Sequence, residues 1–145
     1  LHMIGKIQSN KVKFVVPLFD YIHSLDNLKL AEKISNEQKK YKKNIKIFIQ
    51  INIGDESQKS GISPKVAQDF KNKCVNELNL NIVGLMCLPP KNKEASIYFE
   101  EMNNLLKKMN LKELSMGMSN DYLEAINYNS SYVRIGSKIF GSRDQ

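Results

Sequence analysis

Isoleucine occupies every second position from Ile45 to Ile53, with Lys46, Phe48, Gln50 and Asn52 between. Successive side chains of a strand point to opposite faces, so this period of two sets one apolar face against one mixed face. Such a strand fits a sheet whose apolar face is wrapped by helices. Gln50 and Asn52 then point to the other side, at the strand's C-terminal end, where barrel folds place their sites.

Further strand-like segments begin near residues 2, 21, 82, 113 and 132, each followed by helix-compatible sequence. His2–Gln8 runs into a helix through Val12, Val15, Val16 and Phe19, with Pro17 limiting its regularity. Tyr21–Ser24 leads to a helix carrying Leu28, Ala31 and Ile34, capped by Ser24 or Asp26. Ser63-Pro64 opens a helix with Val66, Ala67, Phe70, Cys74 and Leu78. Ile82–Leu88 is closed by Pro89-Pro90, and a helix with Ile97, Met102, Leu105, Leu106 and Met109 follows. Regular alternation of this kind predicts an α/β fold with a parallel sheet and helical crossovers. No internal repeat or compositional break divides the chain, so residues 1–145 read as one domain. Six strands fit either an open doubly wound sheet or an incomplete (β/α) barrel. The G-x-G-x-x-G that would favour a dinucleotide fold does not follow the first strand.

An apolar fraction of 41% and 26% charged residues are those of a soluble globular chain, and no apolar run suits a membrane helix. With no recognisable leader, a cytoplasmic location is expected. Cys74 and Cys87 lack metal-site spacing, as do His2 and His23, so no metal is expected. The net charge of +7 raises nucleic acid as a partner. Its distribution argues against that class: lysines such as Lys29, Lys39, Lys65 and Lys107 are dispersed, and no aromatic residues interleave them.

Chemistry concentrates between Ser115 and Gly141. Ser115-Met116-Gly117-Met118-Ser119 reads either as a phosphate-cradling turn before a helix over 121–128, or as a helix cap at Ser119 with Gly117 permitting close packing. A second small-residue turn, Gly136-Ser137, favours the phosphate reading, because the loops after the last two strands of (β/α) barrels commonly build one phosphate site. Arg134 is one of two arginines in the chain and sits mid-strand between these turns. Alternation puts it on the inner face with Tyr132 and Gly136. There it pairs with a carboxylate such as Glu113 or Asp121, or donates to a ligand. Being always charged, it could keep an acceptor nitrogen unprotonated.

These motifs resemble a known family. His2-Met3-Ile4-Gly5-Lys6-Ile7-Gln8-Ser9-Asn10-Lys11 is similar to the W-H-F-I-G-x-L-Q-x-N-K signature of the pyridoxal-phosphate homeostasis proteins, relatives of the alanine racemase barrel. Ser115–Asp121 resembles their L-S-M-G-M-S-x-D, and Val133–Gly141 their V-R-I-G-x-x-I-F-G. Ile49-Gln50-Ile51-Asn52, Lys59-Ser60-Gly61 and Gly84-Leu85-Met86 also fall in family order. The resemblance spans essentially the whole chain. Leu1 stands where the family has an aromatic residue, and Ser137 replaces a threonine while keeping the hydroxyl.

The resemblance implies a (β/α)8 TIM-barrel fold that binds pyridoxal 5′-phosphate, with no established catalytic reaction and a role in vitamin B6 homeostasis. The implied cofactor-binding set is Ser115, Gly117, Met118, Ser119, Gly136 and Ser137, with Arg134 approaching the pyridine nitrogen. His2, Asn10, Gln50 and Asn52 are candidates for the pocket wall. The family's first two strand–helix units, including its Schiff-base lysine, have no counterpart before Leu1. Lys6, Lys11, Lys46 and Lys138 do not occupy that motif position. The expectation is therefore an N-terminally truncated barrel that keeps the phosphate half-site and binds the cofactor weakly and non-covalently. Two missing strands would leave open sheet edges, which a complementing chain or self-association could cover. The alternative expectation is a truncated or split-barrel fragment without cofactor binding of its own.

Overall fold

The computed structural model describes residues 1–56, 58–90 and 93–141. Among these described residues six parallel strands form one sheet in sequential order. They are β1 (His2–Met3), β2 (Tyr21–Leu25), β3 (Lys46–Ile51), β4 (Asn81–Cys87), β5 (Glu113–Met118) and β6 (Tyr132–Arg134). The crossovers carry α1 (Val12–Leu18), α2 (Leu28–Tyr41), α3 (Ala67–Asn76), α4 (Ala95–Lys108) and α5 (Tyr122–Asn127), and α6 (Ser137–Phe140) follows β6. Strand order never reverses, which rules out the doubly wound alternative. The sheet instead curls as a partial (β/α) barrel, until the His2 ring of β1 lies 5.4 Å from the Tyr132 ring of β6.

The isoleucine period is realised as expected. Ile45, Ile47, Ile49 and Ile51 are all but fully buried, in one cluster with Leu30, Ala31 and Ile34 of α2 and Ala67, Phe70 and Cys74 of α3. Burying each isoleucine contributes about 1.5–3 kcal/mol. Phe48 and Met86, equally buried, lie outside that cluster and belong to the inside of the curl. Gly84 permits the curl to tighten there: a Cβ on it would collide with the Glu113 carbonyl oxygen and the Phe48 ring.

Several local expectations need correction. The first strand pairs only over His2 and Met3, before the chain leaves the sheet for a 3₁₀ turn at Ser9–Lys11. The cap of α2 is neither Ser24 nor Asp26. Asn27 is the extended residue, and its side chain accepts the Leu30 N–H at 2.8 Å, while Ser24 Oγ donates to the Gly5 carbonyl. Ile97 is 53% exposed, because the buried stripe of α4 runs through Phe99, Met102 and Leu106 and leaves residue 97 off its face. Ser63 does cap as expected, on the 3₁₀ turn Pro64–Val66 that precedes α3. Among the described residues no helix is long and apolar enough to cross a membrane.

Candidate functional site

The inner face of the curled sheet is polar at its centre. Arg134 enters from β6 and donates from Nη1 to Ser115 Oγ of β5 at 2.8 Å, and from Nη2 to the Cys87 carbonyl of β4 at 2.9 Å. Its partners are thus neutral oxygens and not the carboxylates the sequence suggested. Asp121 instead accepts the Met118 N–H at 2.6 Å, and Glu113 begins β5. Burial lowers the Arg134 pKa, the expected direction for a cation withdrawn from water.

Ser115 is fully buried and also meets His23 of β2, whose Nδ1 lies 2.8 Å from Ser115 Oγ. His23 Nε2 lies 3.0 Å from His2 Nδ1. The His23 ring stacks on Phe48 with centroids 4.4 Å apart, and Tyr132 meets it edge-on at 5.7 Å. Burial, with smaller contributions from His2 and Arg134, brings the His23 pKa down to about 4, so the ring is neutral near pH 7. Burial also lowers the His2 pKa. His23 has no motif neighbours, so the sequence assigns it no site role beyond its lack of metal-site spacing. The available signal was its place in β2, on the same face as Tyr21 and opposite the buried Ile22.

At the C-terminal ends of β5 and β6 the two turns meet. Ser119 Oγ accepts from the Gly136 N–H at 3.2 Å and from the Lys138 N–H at 3.3 Å. Ser119 therefore does not cap α5; Asp121 flanks that helix. β5 extends through Met118, which makes the first turn shorter than expected and leaves Ser115 and Gly117 in the strand. Gly117 has φ +92°, and a Cβ there would come 2.6 Å from Ala125 Cβ and 3.0 Å from Tyr122 Cα. Close packing against α5 thus explains this glycine. Around Gly136 there is room, since an added Cβ meets nothing within 4 Å. Ser137 and Met118 are exposed beside it.

The anticipated residues thus divide into groups. His2, Ser115 and Arg134 share the interior cluster, and Met118, Ser119, Gly136 and Ser137 share the rim. Gln50 Nε2 donates to the Ser60 carbonyl at 3.2 Å. Asn52 exchanges hydrogen bonds with the Glu56 backbone at 2.9 and 3.2 Å, so both side chains order the loop after β3. Asn10 stands apart, lining a groove on the helix side with Lys33, Asn36 and Glu37. Of the lysines, Lys6 donates to Ser60 Oγ, Lys46 to the Tyr21 hydroxyl, and the Lys138 ammonium lies over the Tyr122 ring. Among the described residues no group of His, Cys, Asp and Glu is placed to hold a metal ion.

The arrangement offers backbone N–H groups converging on one oxygen at the rim, and a fixed guanidinium below. Comparisons with known proteins agree with the architecture. The family described as alanine racemase, N-terminal domain, matches residues 2–144. A pyridoxal phosphate homeostasis protein of Pasteurella multocida is 38% identical over 153 residues, covering 99% of this chain and 66% of that protein. Its namesake in Haemophilus influenzae is 35% identical, over 99% and 65%. The chain thus spans about two thirds of the length of these curated relatives. PipY of Synechococcus elongatus PCC7942, solved with PLP bound, superposes with a TM-score of 0.86 at 28% identity, over 97% of this chain and 69% of that one. The alanine racemase of Clostridium difficile, 15% identical with a TM-score of 0.69 over 100% of this chain and 41% of that one, shares the fold. The chain belongs to the alanine racemase N-terminal domain family and is similar, within it, to the pyridoxal phosphate homeostasis proteins.

Proposed function

We propose that this chain binds pyridoxal 5′-phosphate non-covalently and serves vitamin B6 homeostasis as a binding protein. The observation that carries this reading is the convergence of the Gly136 and Lys138 N–H groups on Ser119 Oγ. These two N–H groups fix Ser119 Oγ between the turns as an acceptor, so its own hydroxyl hydrogen is the donor it can offer a phosphate oxygen. The open space at Gly136 leaves room for such a group, and the exposed Ser137 hydroxyl adds a donor at the start of α6. The residues present therefore fit the phosphate end of the cofactor.

When bound, the cofactor supplies an aldehyde and an electron-withdrawing pyridine ring. Ser119, Gly136 and Ser137 would hold the phosphate, with Met118 beside them at the rim. Arg134, pinned by Ser115 and the Cys87 carbonyl, would face the ring nitrogen and, as a permanent cation, would oppose its protonation. Replacing Ser119 and Ser137 together by alanine should weaken cofactor retention in a dialysis assay by about tenfold or more, the loss expected for hydrogen bonds to a charged group. Unchanged retention contradicts the half-site.

A second reading is favoured by the sheet order, which leaves β1 and β6 as the two ends. In it, a complementing chain or a second copy pairs these strands, and full affinity appears only in that assembly. Sedimentation with and without cofactor separates the two: a monomer that binds supports the first.

A further inference from the structure

The interior cluster contains an order that the phosphate turns do not use. Arg134, Ser115, His23 and His2 are joined in sequence by contacts of 2.8, 2.8 and 3.0 Å. A guanidinium has donors only. Ser115 Oγ therefore accepts at that end, and its hydroxyl hydrogen turns to its other neighbour, His23 Nδ1. A neutral imidazole that accepts at Nδ1 carries its hydrogen on Nε2, so His23 Nε2–H donates to His2 Nδ1. His2 in turn carries its hydrogen on Nε2. In the opposite sense, Ser115 would receive two donors, and its buried hydrogen would have no acceptor among the hydrogen bonds described for it. One donor-only group thus gives direction to three others.

We infer that His2 and His23 are positioning residues for Arg134, coupling proton uptake at the barrel floor to the guanidinium at the ring end of the cofactor site. His2 is exposed and stacks on Tyr21 with centroids 4.0 Å apart, so it is where a proton enters. A proton added at His2 Nδ1 makes that atom a donor toward His23 Nε2. His23 then answers as an acceptor by changing tautomer through water: its Nε2 hydrogen is given up to water and water returns one at Nδ1, so its own proton count is unchanged. His23 Nδ1–H now points at Ser115 Oγ, whose own hydrogen loses its acceptor and turns toward Arg134 Nη1, and the guanidinium loosens. The net change is one proton gained by the pair. The groups facing this pair are Tyr21, Tyr132, Phe48 and Arg134, with the chain's amino group, Asp20 and Glu113 acting on His2. Lys46 is engaged by Tyr21.

The inference rests on the proposed role of Arg134 toward the cofactor, but its test does not need the cofactor. The chain has 2 histidines and 2 arginines, so its ring nitrogens and the Arg134 guanidinium can be assigned with few variants. Long-range proton–nitrogen correlation spectra near pH 7.5 should show both rings neutral with hydrogen on Nε2. On acidification His23 should exchange to the Nδ1–H form as His2 titrates, and the Arg134 signal should shift with the same midpoint. In His2→Phe, which keeps the stacking on Tyr21, that shift should vanish. A His23 found as Nδ1–H at neutral pH, or an Arg134 signal that moves identically in His2→Phe, overturns the inference. Cofactor titrations then separate the two proposals: absent binding with an intact tautomer pattern defeats the binding reading and leaves the coupling standing.

Discussion

Arg134 and Ser115, 19 residues apart in sequence, meet at 2.8 Å in the middle of the curled sheet and fix each other. Ser115 is fully buried, and without it the Arg134 Nη1 donor, withdrawn from water, would lack its acceptor. Arg134→Ala should therefore leave Ser115 Oγ and the Cys87 carbonyl short of a donor, costing about 1–3 kcal/mol for the unsatisfied groups. Urea denaturation should show a lower midpoint than for the parent chain. An unchanged midpoint would mean that the pair contributes nothing to stability.

Ser119→Ala removes the acceptor shared by Gly136 and Lys138 without touching the core. Stability should change by less than about 1 kcal/mol, as expected for one hydrogen bond at the rim, whereas cofactor retention should fall. A thermal scan and a binding titration on the same sample check both halves.

Gly117→Ala should be costly for two reasons. Its φ of +92° disfavours a side chain, and the new methyl would meet Ala125 Cβ at 2.6 Å. A loss of roughly 1–3 kcal/mol is expected for strain of this kind. Gly136→Ala, where an added Cβ meets nothing within 4 Å, is the control and should be near neutral for folding.

His23 gives stability a pH dependence with a definite sign. Its folded pKa, about 4, lies below the ordinary 6.5, so the unfolded chain binds the proton more readily. Its contribution is fully present above pH 6.5 and is lost as pH falls from 6.5 toward 4. Denaturation midpoints measured across that window should drop less steeply with acid in His23→Gln than in the parent chain. Parallel slopes would show that His23 titrates normally.

Much of this was legible in the residues. The alternation through Ile45–Ile53 revealed both faces of β3, because a strand's period is local and needs no knowledge of its neighbours. Ser119 and Gly136 stood out as small-residue turns, and the structure brings them into contact. The His23–Ser115 contact was not legible, since it joins residues 92 apart through the curl of a sheet whose strand order the sequence left open. Of the two partners offered for Arg134, the carboxylate is not the one the structure shows: Ser115 Oγ and the Cys87 carbonyl take its donors. The carboxylates near it are occupied or distant, and a backbone carbonyl has no sequence signature. Asn27 was missed as a cap because Ser24 and Asp26 are equally good cap residues, and only the backbone angle at residue 27 decides.

Competition dialysis tests most directly whether Ser119, Gly136 and Ser137 hold the phosphate. Pyridoxal 5′-phosphate should bind saturably, inorganic phosphate should displace it, pyridoxal lacking the phosphate should not, and borohydride should trap no lysine adduct. Displacement by pyridoxal but not by phosphate, or a trapped adduct on a single lysine, would contradict it.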